Sequence, residues 1–248
     1  MQRYFVNPRQ WDGDQILVEG DDVHHMTRVM RMRPGDRVVC CDGEGTDLLA
    51  VLEDVKGDRV LLRVLERTPS RGEPAVAVTV AQALPKGDKW EWVLQKGTEL
   101  GAASFLPVLS DRSVVKLDGK KADKKRERWQ KIIKEAAEQS HRGCVPPVQP
   151  VVDWDGLMQA FSVCDRVIFA YEKGGVPLNQ ALADGPFQSL MIVVGPEGGF
   201  TSEEAEQART AGALPVSLGP RILRSETAPL ALLSCILYSH GEMGGEPL

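Results

Sequence analysis

The sequence predicts a mixed α/β chain in which a small β domain, residues 1–70, precedes a larger domain, residues 75–248, built on a mainly parallel sheet. Three observations lead there. Short β-rich runs separated by turn residues crowd the first part, and strands alternate with helical stretches from Val76 onward. Between the two, the segment TPSRGEP at residues 68–74 has the composition of a turn or linker.

RYFV and QILVEG come first, followed by DRVVCCD, TDLLAVLED and DRVLLRVLE, which Gly-Glu-Gly and Lys-Gly-Asp turns divide. Aliphatic and β-branched residues suit a pleated surface, so these runs predict strands. One helical stretch, Asp21 to Met32, interrupts them. Its acidic start suits the positive end of a helix dipole, and Pro34 and Gly35 stop it. In the second part the strands are AVAVTVAQAL, SFLPVL, RVIFAY, LMIVVG and PVSL. Parallel strands need crossovers, so the intervening helices should cover both faces of the sheet. Asp88 is the expected cap of a helix ending at Leu100 and Gly101. A longer helix, Asp123 to Arg142, sets Trp129, Ile132, Ile133, Ala136 and Ala137 on one stripe and ends at Gly143.

Composition excludes several classes. With 42% hydrophobic and 26% charged residues the chain is neither disordered nor fibrous. No apolar run approaches the ~20 residues of a membrane span, and the start MQRYFVNPRQ has no secretory apolar stretch, which predicts a cytoplasmic protein without a membrane partner. Five cysteines, an odd number without a CxxC, predict free, buried thiols. His24 and His25 are adjacent, about 100° apart on a helix, and cannot chelate together, so no metal is expected.

The net charge of −5 argues against indiscriminate coating of nucleic acid, but local charge tells more. Between Lys120 and Lys134 lie eight basic residues (Lys120, Lys121, Lys124, Lys125, Arg126, Arg128, Lys131, Lys134) against two acidic ones, Asp123 and Glu127. A second cluster comprises Arg28, Arg31, Arg33 and Arg37. Either patch alone reads equally as a solvated face; together they suggest phosphate contacts from Arg28, Arg31, Arg33, Lys124, Lys125 and Arg128, with Lys86 and Arg142 as further candidates.

Chemistry concentrates in two motifs. LMIVVGPEGGFTSEEAEQARTAG is an apolar strand, a glycine-rich turn and a helix opened by Thr201 with Glu204 three residues on. Gly195, Gly198 and Gly199 let the backbone bend and a ligand come close. There is no GxGxxG or GK[ST], and Glu197 puts negative charge in the turn, which disfavours phosphate and suits a purine nucleoside or a cation such as a sulfonium. PVSLGPRILRSETAPLALLSCILYSH is a short strand, a Gly219-Pro220 turn, an arginine-bearing loop and an apolar helix. Thr227 is its expected N-cap with Pro229 in the first turn, and the helix should be buried in the core or against a second subunit. Both motifs follow strands and bring two loops to one edge of a sheet, where open α/β sheets bind ligands.

These motifs resemble the knotted SPOUT methyltransferases, and within them the ribosomal small-subunit uridine-N3 methyltransferases. QRYFV, HHMTRVMRMRPGD, ALPKGDKWEWVLQKGTELG and the EAAEQSHR helix end before VPPV join VVGPEGGFTSEE and LGPRILRSETA in the likeness, which spans essentially the whole chain. The resemblance implies an N-terminal PUA-like β-barrel that binds RNA, a C-terminal SPOUT domain with a deep trefoil knot, and a homodimer. It also implies S-adenosyl-L-methionine as cofactor and one uridine of 16S rRNA in the assembled small subunit as substrate.

Carried onto this sequence, the cofactor would be held by Tyr171, by Val194, Gly195, Pro196, Glu197, Gly198 and Gly199, by Leu218, Gly219, Arg221, Ile222 and Leu223, and by Thr227 and Ala228. Arg224 would stabilise the uracil anion, with Glu226, Glu138 or His141 taking the N3 proton directly or through water. Rival readings are a SPOUT enzyme acting on a ribose 2′-hydroxyl of rRNA or tRNA, a non-catalytic RNA-binding module, and a nucleotide-phosphate enzyme.

Overall fold

The structure, a computed structural model, describes residues 1–113, 119–183 and 185–244, with the side chains of residues 119 and 120 excepted. The side chain of Lys120 in the basic cluster therefore lies outside the described residues. The chain divides into two units, Met1–Glu73 with Lys134–Val145, and Pro74–Ile133 with Pro146–Leu248.

The first unit is built on β1 (Arg3–Phe5), β2 (Trp11–Asp12), β3 (Gln15–Glu19), the short helix α1 (Asp21–His24), β4 (Arg37–Cys41), β5 (Thr46–Lys56) and β6 (Arg59–Pro69). Their order in the sheet is β1-β4-β5-β6-β3-β2, antiparallel except for β1 on β4. Side chains alternate with period two, so Ile16, Val18, Val38, Cys40, Leu48, Ala50, Leu52, Val60 and Leu62 fill one core with Tyr4, Val23 and Met26. β6 runs on through Thr68 and Pro69, so the predicted linker begins inside a strand.

The predicted helix Asp21–Met32 is shorter and irregular. After α1 the chain makes one wide turn, His25–Val29, in which Met30 N–H donates to His25 O five residues back. Arg31 then adopts φ 54°, a left-handed conformation that no helix continues through. Val23 and Met26 stay in the core, while Arg28, Val29, Met30, Arg31 and Arg33 are exposed.

Residues Lys134–Val145 join this unit through named contacts. Lys134 Nζ lies 2.8 Å from Asp22, Phe5 N–H donates to Glu138 Oε1 at 3.2 Å, and the Arg142 guanidinium meets Glu73 at 2.6 Å. Arg142 is 2% exposed, which corrects its assignment as an RNA contact: its charge is spent on the Glu73 carboxylate, which also accepts Gly143 N–H.

The second unit holds β7 (Ala77–Ala83), α2 (Lys89–Leu100), β8 (Ser104–Val108), α3 (Gly119–Gln139, as far as Ile133), α4 (Trp154–Ala160), β9 (Arg166–Ala170), β10 (Val176–Pro177), α5 (Leu178–Ala183), β11 (Ser189–Val194), α6 (Ser202–Thr210), β12 (Leu214–Ser217) and α7 (Ala228–Ser239). The sheet order is β10-β12-β9-β11-β7-β8, every pair parallel. Two late strands enter interior positions, β11 between β7 and β9, and β12 between β9 and β10.

Helices cover both faces, as the alternation predicts. Ala81, Ala83, Val167, Phe169, Met191 and Val193 pack against Leu157 of α4 and Ala205 and Ala208 of α6. On the other face α7 lies on β7 and β11, with α2 beside it. Leu190 to Val194 are all buried, the continuous burial expected of a central parallel strand. Trp90 of α2 meets Phe105 and Trp129 edge-on at 6.2 and 6.1 Å, which seats the predicted stripe of α3. Lys124, Lys125 and Arg128 are exposed on its opposite side.

Of the three predicted caps, one forms. Thr201 has extended backbone (φ −71°, ψ 163°), so its hydroxyl accepts Glu204 N–H while the Glu204 carboxylate accepts Thr201 N–H. Asp88 (ψ 9°) and Thr227 (ψ −38°) precede their helices without the extended turn that aims a side chain back, and neither makes a cap hydrogen bond.

The burial of α7 also differs in detail. Of the two placements expected for this apolar helix, core or second subunit, Leu233 and Ile236 take the first, 0% exposed within the chain's own core, and Leu230 is half-buried. The outward face carries Cys235 and Tyr238 instead. All five cysteines are free, with Cys40 and Cys41 buried as predicted and Cys235 exposed. Among the described residues no helix is long and apolar enough to cross a membrane, and no group of three or more His, Cys, Asp or Glu could hold a metal ion.

Candidate active site

The C-terminal ends of β9, β11 and β12 open onto a cavity of about 770 Å³ within the second unit. That size suits a ligand as large as a nucleoside with a side chain. Three segments build it: Ala170–Glu172 after β9, Val194–Phe200 after β11, and Val216–Ser225 after β12, with Ala228 at the start of α7 and Lys89 at the start of α2. Parallel strands end together at one edge, so loops far apart in sequence converge there.

Every residue expected to hold the cofactor lines this cavity except Thr227, which is exposed. The glycine turn closes through Gly199 N–H donating to Pro196 O at 2.9 Å. Gly199 has φ +63°, and a Cβ there would stand 2.8 Å from a Glu172 carboxylate oxygen. At Gly198 a Cβ would meet the aliphatic part of Arg112 at 3.3 Å, and the Arg112 guanidinium donates to Gly198 O at 2.7 Å. Gly199, more than Gly198, is the position where glycine is required.

Arg221 and Arg224 line the cavity and are exposed, as their place in a tight loop suggested. The backbone of that loop is fixed. Arg224 O accepts the N–H groups of Thr227 and Ala228 at 2.9 and 3.0 Å, and Ser225 O accepts from the fully buried Gln82 Nε2 at 2.7 Å. Gln82 Oε1 has no partner among the described residues. Glu226 turns to Lys89 at 3.5 Å and accepts the Ser225 hydroxyl at 3.1 Å. Burial opposes its charged form, but these hydrogen bonds and Lys89 outweigh that and hold the carboxyl below the ordinary range.

The other two candidates for the N3 proton belong to the first unit. Burial, only partly offset by Lys134 and Phe5 N–H, pushes the Glu138 carboxyl above its ordinary range. His141 sits exposed in a left-handed turn at φ 60°.

Two charged lining residues were not named from the sequence, Lys89 and Glu172. Lys89 Nζ lies 2.8 Å from Glu197 Oε1, so the negative charge of the glycine turn is partly cancelled and phosphate is less strongly disfavoured there. The start of its helix was legible, but not the carboxylates facing it. Glu172 follows Tyr171 at the end of a predicted strand, and its position at the shared sheet edge was the available signal.

Comparison with known proteins agrees with this geometry. A family described as RNA methyltransferase domain matches residues 72–237, and one described as RNA methyltransferase PUA domain matches residues 18–65. The ribosomal RNA small subunit methyltransferase E of Bacillus subtilis is 44% identical, over 99% of this chain and 100% of its own length. A ribosomal RNA small subunit methyltransferase E from Neisseria gonorrhoeae, solved with bound S-adenosyl methionine, is 32% identical with a TM-score of 0.88, covering 96% of this chain and 98% of that one. A Legionella pneumophila structure with bound SAM is 30% identical with a TM-score of 0.87, covering 96% and 97%. A parallel-sheet unit whose glycine turn and arginine loop line one cavity, a separate β unit, and full-length likeness to these proteins together show that the chain belongs to the ribosomal RNA small subunit methyltransferase E family of RNA methyltransferases.

Proposed function

We propose that the protein is an S-adenosylmethionine-dependent methyltransferase of small-subunit ribosomal RNA that modifies N3 of one uridine in the assembled subunit. The observation that carries this reading is the cavity itself, in which the predicted cofactor residues converge beside an exposed arginine. Its volume, its close-approach glycines and its mixed charge fit the cofactor. The lining includes three cations, Lys89, Arg221 and Arg224, and two carboxylates, Glu172 and Glu197.

S-adenosylmethionine, when bound, supplies an activated methyl group on a sulfonium. Tyr171, Gly195–Gly199 and Leu218–Leu223 would hold it, and backbone groups of the tight loops would read the adenine. The residues of this chain then have two tasks, to align acceptor and donor and to handle the N3 proton. As the N3–CH3 bond forms and the S–CH3 bond breaks, N3 must lose its proton, and Arg224 stabilises the charge that develops on the uracil. Glu226, held ionised two residues along the same loop, takes that proton through water; the other product is S-adenosylhomocysteine. Single-turnover methylation of small subunits that lack the modification tests the reading, with the nucleoside identified by mass spectrometry. A 2′-O-methyluridine product would overturn the N3 assignment, and absence of S-adenosylhomocysteine binding in a titration alongside ATP would overturn the cofactor.

The exposed cations Arg28, Arg31, Arg33, Lys86, Lys124, Lys125 and Arg128 are the proposed RNA-binding residues. Arg128 also pairs with Glu91 at 2.7 Å, so Lys124 and Lys125 are the freer of the three on α3. Reversing charge at Lys124, Lys125 and Arg128 should weaken binding and reduce the salt slope by about 1 for each phosphate that these cations neutralise in the parent. An unchanged slope of log affinity against log salt would show a merely solvated face.

A homodimer completes the proposal, with the outward face of α7 in the interface. Tyr238 is 73% exposed there beside Cys235, an apolar combination that a subunit partner would cover. The expected light-scattering mass at micromolar concentration is twice that of the 27.2 kDa chain, and Tyr238→Glu should lower it. A monomer mass for the parent would refute the dimer. The two late strands in interior positions support the expectation of a knot.

A further inference from the structure

We propose that Lys89 is a positioning residue that ties the glycine turn to the arginine loop and so holds the two sides of the cofactor cavity in one arrangement. The inference rests on reading this cavity as the methyl-donor site. Lys89 opens α2, and the next residue, Trp90, is buried against Phe105 and Trp129, so the root of its side chain is fixed. From there the ammonium stands between carboxylates of two different loops, 2.8 Å from Glu197 Oε1 and 3.5 Å from Glu226 Oε2. The three side chains are 20–36% exposed, which leaves them partly shielded from water. A compact ammonium with three donors can serve both acceptors at once.

The two loops do not depend on Lys89 equally. Glu197 Oε1 also accepts Lys86 N–H at 3.2 Å, so the glycine turn keeps a second tie to this segment. Among the described residues the Glu226 carboxylate has, besides Lys89, only its own backbone N–H and the neighbouring Ser225 hydroxyl, neither of which ties it to another element. Without the ammonium the two like charges that it bridges would be left uncompensated, and the loop that carries Arg224 would lose its side-chain link to α2. Loss of Lys89 should therefore act on methyl transfer more than on cofactor binding.

Lys89→Met, Lys89→Arg and the parent can be compared by two readouts. At saturating cofactor, Lys89→Met should slow single-turnover methylation by about fivefold, the effect of one good partly exposed ion pair. Affinity for S-adenosylhomocysteine should change by less than about twofold, and Lys89→Arg, which keeps a cation in reach, should recover most of the rate. Hydrogen exchange gives the second readout without any activity. Amides of residues 219–227 should exchange about fivefold faster in Lys89→Met and return toward the parent in Lys89→Arg. Unchanged exchange in that loop, or an arginine variant that behaves like methionine, would overturn the clamp. A parent that shows the exchange pattern but methylates no ribosomal RNA would leave the clamp standing and sink the functional reading instead.

Discussion

Replacing Arg224 by alanine should slow methyl transfer by about a hundredfold to a thousandfold while leaving S-adenosylhomocysteine affinity within about threefold. The contrast follows from what the residue touches. Its carbonyl is committed to the start of α7 through Thr227 and Ala228, and that bond survives any side-chain substitution. Its neighbour Ser225 is held by Gln82 from the buried sheet. The guanidinium lines the cavity, is exposed, and has no carboxylate partner among the described residues. A cation placed beside a neutral imide gains little until N3 begins to lose its proton, so its contribution falls on the transition state. Lysine should rescue only partly, because a point charge lacks the planar fork of donors. The measurement is single-turnover methylation at saturating cofactor with a parallel calorimetric titration. A near-normal rate in Arg224→Ala would remove the residue from catalysis, and an equal loss of affinity and rate would make it a cofactor ligand.

Much of this arrangement was legible in the sequence because it is local. Strands announced themselves by apolar runs between turn residues, and the Thr201–Glu204 box stands where its spacing put it, since extended backbone at Thr201 is compatible with the turn before it. What stayed hidden depends on residues distant in the chain. Glu138, His141 and Arg142 were predicted on one helix of the sheet domain, yet the helix ends at Gln139, and Glu138 and Arg142 find their partners in Phe5 and Glu73, which no periodicity connects to them. The helix from Asp21 was read as continuous because its pattern is regular, whereas Arg31 in a left-handed conformation ends it early. In α7 an unbroken apolar sequence could not separate Leu233 and Ile236, which face the chain's own core, from Tyr238, which faces outward. The Lys89 bridge was invisible for the same reason: Glu197 and Glu226 reach it from two loops.

Substituting Gly199 by valine should cost cofactor affinity or stability, and the two together should amount to roughly 2–4 kcal/mol. The position is constrained twice. At φ +63° an L side chain strains the backbone by about 1–2 kcal/mol, more for a β-branched one. The added Cβ would also lie 2.8 Å from the Glu172 carboxylate, which lines the same cavity and would have to move. If the turn keeps its shape, the strain appears as a lower unfolding temperature. If the turn relaxes instead, Gly199 N–H leaves Pro196 O, the loop no longer matches the cofactor, and affinity falls by on the order of a hundredfold. Gly198 supplies the internal control. Its backbone is not left-handed, and a Cβ there presses at 3.3 Å on the flexible aliphatic stem of Arg112, so Gly198→Ala should lose less than about fivefold. Titration with S-adenosylhomocysteine and thermal unfolding of both variants decide the matter. A folded Gly199→Val protein with parental stability and parental affinity would take the glycine turn out of the cofactor site, and a larger loss at Gly198 than at Gly199 would mean that the ligand approaches the turn from the Arg112 side.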